Sequence, residues 1–89
     1  ILNPSGEFIQ SNMIAAYNEY SQSLFKASNY LLSLEVLKEA YHNYPANIAI
    51  RNNLKLIFNR YIQYLWVENN DLETAMSIML DMSKYFPKE

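Results

Sequence analysis

The chain has 89 residues and a formal net charge of −2, is 51% apolar, and contains eight Tyr, four Phe, one Trp and no Cys. That describes one small domain, too apolar to remain disordered, which buries roughly 60–65% of the surface its unfolded chain exposes. Scattered Lys and Arg without a basic stripe argue against nucleic acid, no apolar run approaches the roughly 20 residues of a membrane span, and the missing thiols remove disulfides, thiolate metal sites and Cys nucleophiles.

In chain order, Pro4, Ser5 and Gly6 read as a turn, and neither Gly nor Pro recurs until Pro45. A first helix is predicted near residues 7–26, with a stripe of Ile9, Met13, Ala16, Tyr17, Tyr20 and Leu24 and with Asn12 at its edge. Ala27, Ser28 and Asn29 make a soft break. A second helix, near 29–43, carries Tyr30, Ser33, Leu34, Leu37, Ala40, Tyr41 and Tyr44 at i, i+3, i+4 spacing. After Pro45 a third helix is expected near 47–68, striped by Ile50, Leu54, Ile57, Phe58, Tyr61 and Leu65, with Asn53 at the edge. Asn69, Asn70 and Asp71 form the next break, since their side chains accept hydrogen bonds from free N–H groups at a helix start. A fourth helix near 71–85 carries Leu72, Ala75, Met76, Met79, Met82, Ser83 and Phe86. Met76, Met79 and Met82 lie on that stripe and are assigned to the core rather than to an adaptable binding surface.

These elements repeat. Setting Pro4 on Pro45 aligns residues 4–28 with 45–69 without a gap, and seven of the 25 pairs are identical: Pro4/Pro45, Ile9/Ile50, Asn12/Asn53, Asn18/Asn59, Tyr20/Tyr61, Gln22/Gln63 and Leu24/Leu65. One inserted residue near Asn69–Asn70 then brings Tyr44-Pro45 onto Phe86-Pro87. A repeat of this size implies stacked supersecondary units. The expected fold is all-α, two antiparallel helical hairpins in one domain over residues 1–89, with repeats at about 4–44 and 45–86. A start at Ile1 rather than Met suggests a piece cut from a longer protein. A cytoplasmic setting is the expectation, there being no Cys and no signal-peptide pattern.

The pattern resembles the tetratricopeptide repeat. Counting back from Pro45, Ser33 and Ala40 stand at that family's small positions of the second helix and Ser21 at the small position of the first, while Tyr17, Tyr20, Leu24 and Leu37 stand at its large apolar ones. In the second repeat Ala75 fits, but Met82 and Ile62 replace small residues, and the period exceeds the family's about 34 residues. The resemblance implies an α-solenoid fragment whose first helices line a peptide groove.

Within the repeated phrases NEYSQSLF and NRYIQYLW, Asn18, Gln22 and Phe25, and then Asn59, Gln63 and Trp66, fall at i, i+4, i+7. Each row points away from the apolar stripe of its helix. A carboxamide both donates and accepts, so it pairs with peptide backbone of any sequence, and an aromatic supplies an anchor. Glu19 and Arg60 lie beside the rows and would set charge preference. The competing readings of these rows are burial against another domain or copy, and a solvated face. Leu31, Leu32, Val36, Ile78 and Leu80 fall off the main stripes and are candidates for self-association as a homodimer, because a two-repeat array leaves apolar flanks uncovered. Tyr64 and Ile62 are similarly off the stripe. His42 has no ligand-type partners beside it, and Glu35, Glu39, Glu73 and Asp81 read as solvated helix faces. No phosphate loop, catalytic set or metal motif is present in the sequence. The expectation is therefore a non-catalytic scaffold that binds a protein or peptide, with no cofactor and no metal. Its rivals are a homodimerisation module of a signalling or regulatory protein and a non-catalytic piece of a larger enzyme.

Overall fold

A computed structural model of the chain describes residues 5–87. Among them are four helices and no strand: α1 (Ser5–Lys26), α2 (Tyr30–Asn43), α3 (Ile48–Gln63), which continues as a π-helical stretch at Tyr64–Glu68, and α4 (Leu72–Tyr85). The all-α class read from the apolar period is the one observed. Pro4 lies outside the described residues. The turn expected at Ser5-Gly6 is instead the first turn of α1. A first-turn residue has no intrahelical carbonyl to bond, so little of the helix depends on Gly6.

The ends of the first helices repeat in geometry as well as in sequence. Ser28 and Asn70 each stand two residues before the next helix and have positive φ, 64° and 53°. A left-handed residue just past a helix turns the chain so that later N–H groups reach the last carbonyls. The Asn29 N–H donates to the Leu24 carbonyl at 2.8 Å, and the Asp71 N–H to the Leu65 carbonyl at 2.7 Å. The second bond spans one residue more than the first. The single insertion therefore appears as the π-helical widening of Tyr64–Glu68, with the Asn69 N–H on the Tyr64 carbonyl at 2.9 Å. The second helices end alike too. Tyr44 and Phe86 both have φ −134°, with ψ 63° and 69°, because a residue before proline is driven out of the α region.

The chain divides into two units, Ile1–Leu54 and Lys55–Glu89. The division falls inside α3, not at the repeat boundary before Pro45.

In the first unit α1 and α2 run antiparallel. Ser33 Oγ donates to the Ser21 carbonyl at 2.7 Å, and farther from the turn the Tyr17 hydroxyl donates to Glu39 Oε2 at 2.9 Å. Ser33, Leu34, Leu37 and Ala40 are all 0% exposed, and burial of Leu34 and Leu37 stabilises by roughly 1.5–3 kcal/mol each. The buried line of α1 passes through Ser21, whose small side chain lets the two backbones approach. This corrects the expected α1 stripe. Ile9, Met13, Ala16 and Tyr20 are exposed, and Tyr17 and Leu24 only half-buried, because α2 takes the face centred on Ser21.

In the second unit Ile62, Leu65 and Ala75 form a buried cluster, with Tyr61, Tyr64, Ile78 and Met82 packed on it. Farther from the turn Phe58 and Tyr85 meet at 5.7 Å between ring centroids, and Lys55 Nζ lies 5.3 Å from the Phe86 ring centroid. These pairings make the later turns of α3 and α4 antiparallel as well. Here the α4 stripe needs correction. Ala75, Ile78, Met82 and Phe86 face inward, whereas Leu72, Met76, Met79 and Ser83 are exposed. Met76 and Met79 are thus surface residues, because the α3 face opposite α4 engages only its Ala75–Met82 side. Tyr64 and Ile62, off the expected stripe, belong to this core.

Candidate interaction site

The two polar rows lie in different units. On α1, Asn18 is half-buried, and its Oδ1 accepts from Asn53 Nδ2 at 2.9 Å. Asn53 stands on the early turns of α3, in the same unit. This carboxamide is therefore engaged in a helix-to-helix contact. Glu19 and Gln22 are exposed. Phe25 is half-buried, edge-on to the Tyr30 ring at 5.3 Å, so it packs within its own hairpin.

On α3, Asn59, Arg60 and Gln63 are exposed, and Trp66 is 54% exposed. The counterpart of Tyr30 in this repeat is Leu72, which offers Trp66 no ring. The π-helical stretch also moves Trp66. A turn closed by i→i+5 bonds holds more residues than an α turn, so Trp66 lags behind the i, i+4, i+7 register expected for it.

Two clefts flank these rows. One, of about 420 Å³ in the first unit, is lined by Met13, Ala16, Tyr17, Tyr20 and Glu39. The Glu39 carboxylate accepting the Tyr17 hydroxyl holds that phenol above its ordinary range. Asn43 Nδ2 donates to the same hydroxyl at 3.1 Å, which fixes the ring against α2. The other cleft, of about 310 Å³ in the second unit, has Asn59 at its rim and Ile62, Met79, Met82 and Phe86 among its walls.

Among the residues assigned to self-association, Leu31, Leu32 and Leu80 are exposed and Val36 is half-buried, while Ile78 packs on the Ile62–Leu65–Ala75 cluster of its own unit. His42 is exposed near the end of α2. Glu35 pairs with Lys38 at 3.2 Å. Among the described residues no group of three or more His, Asp or Glu is placed to hold a metal ion, and no helix is long and apolar enough to cross a membrane.

Sequence reasoning did not join Asn18 to Asn53. The signal was present: an Asn recurs at each edge of the first helix in both repeats, as Asn12 and Asn18, then Asn53 and Asn59. Compared with protein-family models, curated proteins and solved structures, the chain matches none.

Proposed function

We propose that this chain is a non-catalytic, tetratricopeptide-like interaction module that holds a protein segment on the outer face of its first helices. The observation that carries the reading is which members of the repeated phrase stay open: Gln22, Asn59, Gln63 and Trp66. Asn18 is occupied by Asn53, while Gln22 and Gln63 stay exposed and Trp66 is left more than half open. Exposed carboxamides beside an open indole suit an extended segment, with backbone pairing to the amides and one large anchor nearby. Glu19 beside Gln22, and Arg60 beside Gln63, would set the charge preference of each face.

A peptide-display selection on the folded chain tests this. Selected peptides are expected to perturb the Trp66 indole signal in NMR. Trp66→Ala should remove most of their affinity, and Gln63→Ala should weaken it by about 1 kcal/mol, the worth of one hydrogen bond, both with little change in melting temperature. Loss of stability with unchanged affinity would make the row structural. A selection that yields no peptide at Trp66 would remove the reading.

A further inference from the structure

Helix α1 and the α3–α4 cleft each expose one half of a contact that the first unit makes internally. In that unit the early turns of α3 meet α1 through the bond from Asn53 to Asn18, and Ile50 and Leu54, on either side of Asn53, are fully buried. On the hairpin Ser21, Leu37 and Ala40 are buried. In the second repeat Asn59, Ile62, Met79 and Met82 are the counterparts of Asn18, Ser21, Leu37 and Ala40. They surround the open cleft, and Asn59 stands exposed at its rim. The matching insert is also in the chain. Ile9, Asn12 and Met13 on α1 repeat the spacing of Ile50, Asn53 and Leu54, with Ile9 59% and Met13 43% exposed.

From this we infer that the protein associates head to tail with second copies of itself. The α1 face of Ile9, Asn12 and Met13 enters the α3–α4 cleft of the next copy, and Asn12 pairs with the next copy's Asn59 as Asn53 pairs with Asn18. The occupant is another copy because this chain presents both sides of the contact and already makes it once within itself. The contact is heterologous: filling one cleft leaves the partner's own cleft free, so association continues rather than closing as a twofold dimer. Burial of exposed apolar surface drives it, and the carboxamide pair sets the register, since a mismatched Asn would lose its partner on desolvation. Gln22, Gln63 and Trp66 take no part, and of the second row only Asn59 is used by the contact.

Sedimentation of the 89-residue chain tests the inference. The wild type is expected to show a mean mass that rises with concentration past that of a dimer. Ile9→Glu, which spoils the insert, and Met79→Glu, which spoils the cleft, should each sediment as monomer. An equimolar mixture of the two should form a species of two chains and nothing larger, because each variant keeps one intact half. Circular dichroism reports whether each variant folds. If either does not, the exposed pair Asn12→Lys and Asn59→Lys serves instead: each alone should lose the larger species, and mixing should restore a two-chain species, because the two lysines repel at the second contact. A wild type that stays monomeric, a closed dimer, or a mixture that remains monomeric would overturn the inference.

Discussion

Helices α2 and α4 carry the same stripe and treat it differently. Leu34 and its counterpart Met76 sit 42 residues apart in the repeat, yet Leu34 is fully buried and Met76 is 55% exposed. Ser33 and Ala75 are both fully buried, but Ser33 bonds the Ser21 carbonyl, and Ala75 has no hydroxyl with which to do the same toward Ile62. The first hairpin is thus closed by a small polar pair and a continuous aliphatic line. The second is closed by a compact cluster around Ile62, Leu65 and Ala75, with methionines left outside it. A shared period guarantees a shared helix. It does not guarantee a shared neighbour, and burial follows the neighbour.

The sharpest break in this comparison is at its most unequal pair. Leu34→Ala should lower the unfolding free energy by about 2–5 kcal/mol, the range for emptying a packed site. Met76→Ala should change it by within about 0.5 kcal/mol, as an exposed substitution does. Urea denaturation of both variants reads the difference directly, and equal losses would mean that α4 is packed as α2 is.

Next comes the position where both hairpins are tight. Ala75→Leu should overpack the approach of α4 to α3 and cost about 1–3 kcal/mol, seen as a lowered thermal midpoint. An unchanged midpoint would show room there that the full burial of Ala75 does not allow.

A smaller effect separates the hairpins by chemistry. Ser33→Ala should cost about 1 kcal/mol, the net worth of one buried hydrogen bond, measured by urea denaturation. It would bring the first hairpin to the composition of the second at that site without touching the aliphatic line.

The smallest effect distinguishes the helix starts. Asn47 Oδ1 accepts the Ile50 N–H at 2.9 Å, and Asp71 Oδ1 accepts the Thr74 N–H at 3.1 Å. Only the second cap can take up a proton. Hydrogen bonds from Thr74 hold the Asp71 carboxyl below its ordinary value of 3.8. A depressed folded pKa means that the contribution is fully present above 3.8 and is lost as pH falls through the lower folded value. The stability difference between the wild type and Asp71→Asn, followed by denaturation from neutrality downward, should shrink below pH 3.8. Asn47→Asp should introduce the same acid dependence at α3.

The sequence by itself determined the helices, because helix formation answers to local terms. Uninterrupted 3.6-residue stripes set their number, Asn47 and Asp71 set two of their starts, and the residues before Pro45 and Pro87 set two of their ends. Even the one-residue insertion was legible before its π-helical form was. The polar rows were legible as spacing. Only the tertiary structure decided which residues those rows leave free, since the Asn18–Asn53 bond joins positions 35 apart that no local rule pairs. It also decided that Ile9, Met13 and Met76 lie outside while Ile50, Leu54 and Leu34 lie inside. Apolar pattern states what a residue loses in water. Which face is actually withdrawn from water depends on the segment that covers it, and in this chain equivalent faces are covered in one repeat and open in the other.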